Sequence, residues 1–192
     1  IGPYGAVLHD GSEYRGDYDK SVADLRRFHE ARLQLFDASG ADVLAFETVP
    51  SLPEAEAIAD LLKSRKTSAW VSFSCKDDRH ISDGAPIEQA VALFRDHPAV
   101  AAVGINCTPP QFATALIERI RKAVPGTAII AYPNSGETYD AATGMWFGTA
   151  EPLDYAVAAR EWMAAGARII GGCCRTGPAH IAAIRAALLP GT

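Results

Sequence analysis

Ile169-Ile170-Gly171-Gly172-Cys173-Cys174-Arg175-Thr176-Gly177-Pro178 is the stretch on which the reading of the chain turns. Two apolar β-branched residues lead into paired glycines, two adjacent thiols, a threonine and a proline. That order describes a buried strand, a loosened turn and the start of a helix. Side chains on a regular strand alternate between faces, so neighbouring cysteines reach one ligand only where the backbone bends. Gly171 and Gly172 lack Cβ and permit that bend. Thr176 is suited to cap the following helix and Pro178 to its first turn. Cys173 and Cys174 are therefore expected at the carboxyl end of a parallel strand, where α/β folds place their chemistry.

A third thiol has a similar setting. Val103-Gly104-Ile105-Asn106-Cys107 is an apolar strand ending in cysteine, followed by Thr108-Pro109-Pro110-Gln111 with the Thr-x-x-Gln form of a capping box. Taken singly, Cys107 reads as a small buried apolar residue. Beside the adjacent pair, it completes a set of three soft donors at two strand ends. Zinc with three protein ligands and one open position is the catalytic pattern, whereas four closed ligands would be structural.

Outward from these strands the chain repeats a strand–helix rhythm. Val43-Leu44-Ala45-Phe46 is a buried-type strand running into Glu47-Thr48, and Ser51-Leu52-Pro53-Glu54 has the form of a capping box opening a helix through Leu62. Ala69 to Cys75 is the next strand, Lys76 to Gly84 a charged loop, and Pro86 begins another helix. Gln111 to Lys122 reads as a helix and Ala128 to Tyr132 as a strand. A polar loop is expected from Thr138 to Ala150, a helix from Pro152 to Ala165, and a final helix to Leu188. Near the start, Val22, Leu25, Phe28, Leu35 and Phe36 mark one face of a helix over 21–39. Ile1 to Val7 looks like the end of a further strand. Strand ends recur about every 30 residues, a βα rhythm of six units. Six units fit either an open parallel sheet or part of a (β/α)₈ barrel, and the opening on a strand end favours the barrel. No linker or domain boundary interrupts residues 1–192.

Composition narrows the class. The 192 residues suffice for one domain with a sizeable core, and 48% hydrophobic with 21% charged residues is ordinary for a globular protein. A net charge of −5 gives no footing for nucleic acid. No apolar run approaches the roughly 20 residues that span a bilayer, so no membrane role is expected. Four cysteines placed at strand ends fit a reducing compartment, hence a cytoplasmic location, better than a disulfide scaffold.

Each strand ends in polar chemistry. In a barrel, Glu47, Cys75, Asn106-Cys107, Asn134-Ser135 and Cys173-Cys174 would ring one mouth. Glu47 suits the ammonium group of an amino-acid substrate through a charge-assisted hydrogen bond, its bland alternative being an ion pair with Arg or Lys. Asn106, Tyr132 and Asn134 join it as candidate substrate contacts. Tyr4, Trp146 and Tyr132 offer aromatic faces to a cation, and Tyr4 and Tyr14 are candidate pocket residues, surface or packing positions being the commoner case for tyrosine. Cys75 reads as packing. The five histidines show no metal-ligand spacing, and His29 and His180 are expected to face solvent or satisfy local hydrogen bonds. Arg175 is open between an anion contact, thiolate stabilisation and a surface salt bridge. A zinc-bound substrate thiol is deprotonated near neutral pH, which suits attack by sulfur on an electrophilic carbon.

Gly104-Ile105-Asn106-Cys107 and Gly171-Gly172-Cys173-Cys174-Arg175-Thr176 together resemble the two zinc motifs of the homocysteine S-methyltransferase family. Gly2-Pro3-Tyr4-Gly5, Asp10-Gly11-Ser12-Glu13-Tyr14, Phe46-Glu47-Thr48 and Tyr132-Pro133-Asn134-Ser135-Gly136-Glu137 are similar to further family segments. The likeness is nearest to the S-methylmethionine-using branch. It implies a (β/α)₈ TIM barrel of which this chain carries strands three to eight, truncated by its first two units. It also implies Zn²⁺ held by Cys107, Cys173 and Cys174, with homocysteine and a sulfonium donor, S-methylmethionine or S-adenosylmethionine, as small-molecule substrates. Betaine or a folate- or cobalamin-linked donor would use the same zinc core. The reading from another class is a non-catalytic metal-binding or thiol-redox protein with Cys173-Cys174 as its exchangeable pair.

Overall fold

The structure is a computed structural model that describes residues 1–65, 67–140, 145–148 and 152–189. Four apolar segments pair side by side in parallel: β1 (Val43–Val49), β2 (Ser68–Phe73), β3 (Val100–Asn106) and β4 (Ala128–Tyr132). An antiparallel hairpin follows, β5 (Thr138–Asp140) with β6 (Met145–Phe147), inside the segment expected to be loop. The short β7 (Ile169–Ile170) then returns to the sheet beside β4, giving the order β1-β2-β3-β4-β7. The helices are α1 (Val22–Asp37), α2 (Leu52–Leu62), α3 (Ile87–Ala92), α4 (Pro110–Ala123), α5 (Pro152–Ala165) and α6 (Pro178–Leu188). Parallel neighbours need crossover connections, and helices supply them here. The class is α/β with a parallel sheet, as the rhythm indicates.

The sheet is buried against its helices by alternate residues of each strand. Val71 and Phe73 of β2, Val103 and Ile105 of β3, and Ile129 and Ala131 of β4 meet Ile58, Phe94, Leu116, Ile120 and Trp162 in one core. Trp70, Ser72 and Tyr132 occupy the intervening positions and face the other way, where the polar chemistry lies. Among the described residues no helix is long and apolar enough to cross a membrane.

Several local expectations are corrected. The strand expected over 1–7 is reduced to Ile1, which bridges β1 by donating to the Ala45 carbonyl (2.5 Å) and accepting from the Glu47 amide (3.2 Å). Pro3 has no N–H to extend that ladder, and Tyr4–Val7 forms a 3-10 turn. Helix α1 buries Leu25, His29 and Leu33, spaced by four, while Leu35 is 71% exposed and Phe36 40%. Neither expected capping box forms. Ser51 makes no side-chain cap, and the α2 amide of Leu52 donates to Asp83 instead (2.7 Å). Glu54 turns inward, fully buried, and accepts from the Tyr4 amide (2.7 Å) and the Tyr18 hydroxyl while bonding His29 Nε2 (2.7 Å). His29 is therefore buried against a residue distant in sequence, neither at solvent nor locally bonded. His180 takes the local alternative: its Nδ1 accepts from the Gly177 amide (3.1 Å) at the start of α6. Thr108 likewise declines to cap α4, accepting from the Cys75 amide and donating to the Asn106 carbonyl, both at 3.0 Å, so that it ties the ends of β2 and β3.

Candidate metal centre

Cys107 follows the last residue of β3 with φ of +46°, a left-handed value uncommon for a residue with a side chain. Its amide donates to the Tyr132 carbonyl (3.3 Å) at the end of β4. Beyond β7 the Cys173 amide donates to the Pro133 carbonyl (2.8 Å), and the Ser135 amide donates to the Cys174 carbonyl (3.1 Å). The bend expected at Gly171-Gly172 lies slightly later, as a turn at Cys174-Arg175. A Cβ on Gly172 would lie 2.2 Å from Thr176 Oγ1, because Thr176 folds back to donate to the Cys173 carbonyl (2.7 Å) instead of capping α6. Two strand ends and the β4 turn thus bring three thiols together.

The sulfurs of Cys107, Cys173 and Cys174 all lie within 4.8 Å of one another. Cys107 and Cys174 sulfurs are 3.7 Å apart, and those of Cys173 and Cys174 are 4.0 Å apart. Ligands about 2.3 Å from a tetrahedral zinc are about 3.8 Å from each other, so these separations fit the ion. Cys107 and Cys173 are joined as a disulfide with Cα atoms 5.5 Å apart, leaving Cys174 as a thiol. The bond is not the vicinal Cys173–Cys174 one of the redox reading. Thiolate is the ligand form, so a three-sulfur site requires this disulfide reduced. Cys75 is buried, and burial pushes its thiol up to about 12, in keeping with a packing role.

Beside the thiols a hydrogen-bonded network crosses four strands. Tyr132 on β4 donates to Glu47 Oε2 on β1 (3.1 Å), accepts from Trp70 Nε1 on β2 (3.0 Å), and meets Ser72 Oγ at 2.5 Å. Ser72 also donates to Asn106 Oδ1 (2.8 Å). Asn106 accepts from the Thr48 amide (2.7 Å) and donates to the Thr48 hydroxyl (2.7 Å). Burial pushes the Tyr132 phenol upward, so it remains a neutral donor. Its single proton faces both Ser72 and Glu47. Asn106, fully buried, thus acts as a strut holding Thr48, which has φ of +63°, next to Glu47. Replacing Asn106 with alanine should leave the Thr48 amide without its acceptor and destabilise the fold by about 1–3 kcal/mol. Urea unfolding measures this; an unchanged midpoint would show the strut to be dispensable.

A cavity of about 490 Å³ borders the thiols, with Tyr14, Lys76, Gln111, Asn134, Cys107 and Cys174 in its wall. Asn134 accepts from the Gly136 amide (3.0 Å) and its own amide donates to the Thr108 carbonyl (3.1 Å), which fixes the β4 turn. Burial, then the neighbouring Cys174 sulfur, push the Tyr14 phenol up to about 12. Tyr4 packs instead on Tyr18 and Phe28, each at 5.2 Å between ring centres. Arg175 takes the ion-pair alternative, donating to Glu137 from Nε (3.1 Å) and Nη2 (3.3 Å), and this guanidinium holds Glu137 below the ordinary carboxylate value. The Trp146 side chain lies outside the described residues. Ser72, Trp70 and Lys76 are additions to the expected site. The alternation of Trp70 and Ser72 with Val71 and Phe73 was the available signal for the first two.

Residues 1–188 match the family model described as Homocysteine S-methyltransferase. Homocysteine S-methyltransferase YbgG of Bacillus subtilis (strain 168) is 52% identical over 187 residues, covering 97% of this chain and 59% of the relative. Homocysteine S-methyltransferase of Escherichia coli (strain K12) is 46% identical over 191 residues, covering 97% and 60%. Two crystal structures of the Escherichia coli homocysteine methyltransferase MmuM are similar. The oxidized form gives a TM-score of 0.83 at 44% identity, covering 96% of this chain and 58% of that one. The metallated form gives 0.82 at 43%, covering 97% and 59%. The chain therefore spans about three fifths of the length of these relatives.

Proposed function

The chain belongs to the homocysteine S-methyltransferase family, and on that premise we propose that it serves zinc-dependent methyl transfer from a sulfonium donor, S-methylmethionine or S-adenosylmethionine, to homocysteine, giving methionine. The observation that carries the reading is the cluster of three cysteine sulfurs within 4.8 Å. Cys107, Cys173 and Cys174 would hold zinc, which keeps a substrate thiol deprotonated near neutral pH. The same reading places residues 1–192 in one barrel domain acting in the cytoplasm. A thiol-redox protein would instead use the Cys107–Cys173 disulfide as its exchangeable pair. Zinc retained stoichiometrically in reductant separates the two.

The protein's own groups divide the remaining work. Glu47 receives the homocysteine ammonium, and Tyr132 steadies Oε2 by donating to it. When an ammonium satisfies Glu47, the Tyr132 proton is available to Ser72 at 2.5 Å. Asn106 holds the Glu47–Thr48 backbone against the Cys107 strand, and Asn134 lines the cavity where substrate meets the thiols. Transfer breaks the donor's carbon–sulfur bond, leaving its electron pair on a neutral thioether, while the homocysteine sulfur supplies the pair for the new bond.

Replacing Glu47 with glutamine keeps its shape and removes the charge. Homocysteine affinity of the zinc-loaded protein should fall by about 1.5–3 kcal/mol, the value of a hydrogen bond to a charged group. Affinity for 4-mercaptobutanoate, which lacks the amino group, should hardly change. Calorimetric titration of both thiols checks this; equal effects on the two would remove Glu47 from ammonium binding.

A further inference from the structure

We propose that Lys76 binds the carboxylate of the methyl donor, making the cavity beside the thiols a subsite for amino-acid sulfonium ions. The inference rests on the methyl-transfer reading above and adds to it the group that selects the donor. Glu47 on β1 is bonded to Tyr132 and does not line the 490 Å³ cavity, whereas Cys107 and Cys174 do. Displacement at carbon requires the attacking sulfur, the methyl group and the departing sulfur to be aligned. A donor must therefore reach a homocysteine sulfur held at the thiols, and the cavity walled by Cys107 and Cys174 gives access to that place.

The charges in that cavity point to a carboxylate. Glu137 and Arg175 neutralise one another at 3.1 Å. Among the described residues Lys76 Nζ has neither a hydrogen bond nor an ion pair. It is also placed. The Lys76 amide donates to the His80 carbonyl (3.1 Å), and the loop is pinned where Asp83 accepts from the amides of Leu52 (2.7 Å) and Ala85 (2.8 Å). Gly84, at φ of +101°, gives Nζ its room, since a Cβ there would sit 2.9 Å from it. An unpaired ammonium at the cavity wall favours an anion through a charge-assisted bond. In an amino-acid sulfonium that anion is the carboxylate, leaving the sulfonium directed toward the electron-rich sulfurs. Tyr14, also in the cavity wall, supplies an aromatic ring for the cation.

The test compares S-methylmethionine with its decarboxylated counterpart, (3-aminopropyl)dimethylsulfonium, on the zinc-loaded chain. Calorimetry gives Kd for each ligand with the wild type, Lys76→Met and Lys76→Arg. The expected result is an about 10–100-fold weaker Kd for S-methylmethionine in K76M, a change under about twofold for the decarboxylated ligand, and recovery of most of the loss in K76R. Equal weakening of both ligands, no weakening of either, or a wild type that binds neither overturns the assignment. Methionine formation is followed separately. Lys76-dependent binding without turnover would leave the subsite standing and remove the reaction proposed for this chain. Turnover with binding indifferent to Lys76 would do the reverse.

Discussion

Replacing Cys107 with alanine should strip the protein of tightly held metal. The variant has two of the three sulfurs, and those two come from adjacent residues on one turn, so no donor remains on the β3 side. Zinc affinity should fall by more than about 100-fold, beyond the usual 10–100-fold effect of groups that merely support a ligand. Homocysteine-dependent methyl transfer, where the parent shows it, should become undetectable. The substitution also removes the Cys107–Cys173 disulfide, so parent and variant are compared in reductant, where neither has the bond. Competition against a chromogenic chelator measures affinity directly. Metal held as tightly by C107A as by the parent would mean that the ion binds elsewhere.

Gly104→Ala should damage the protein more broadly. A Cβ at this position would lie 1.7 Å from the Ile130 carbonyl oxygen and 2.7 Å from its carbonyl carbon. Both are backbone atoms of the neighbouring strand, fixed by pairing of Gly104 with Ile130, and cannot move aside as a side-chain tip would. Overpacking a core costs about 1–3 kcal/mol where side chains absorb it, and a backbone collision should exceed that. Against the roughly 5–15 kcal/mol total stability of a domain, this is a large share. The β3–β4 spacing also sets Cys107 against the β4 turn, so zinc stoichiometry should fall together with the melting temperature. A variant melting within about 2 °C of the parent would show that the two strands have slack here.

What sequence made legible was local. Ala128–Tyr132 and Pro152–Ala165 fall where apolar runs and prolines put them, and Cys107, Cys173 and Cys174 converge as their strand-end positions imply. What it concealed depends on contacts between distant residues. Ser51-x-x-Glu54 has the form of a cap, but donors from Tyr4, Tyr18 and His29 draw Glu54 inside, and nothing local distinguishes the two outcomes. Leu35 and Phe36 suit a buried helix face by type, yet the inner stripe of α1 runs through His29 and Leu33. The network from Glu47 to Thr48 draws on four strands, so Ser72 and Trp70 acquire their places only once β1 to β4 are in register. The disulfide is equally non-local, with Cys107 and Cys173 separated by 66 residues.

The central claim is that three thiolates of this chain hold one zinc. X-ray absorption at the zinc edge, on protein loaded with one equivalent under reductant, tests it most directly. The account predicts a first shell dominated by sulfur at about 2.3 Å, with about three such neighbours and a fourth position that changes from light atom to sulfur when homocysteine is added. A shell dominated by nitrogen and oxygen at about 2.0–2.1 Å would contradict it.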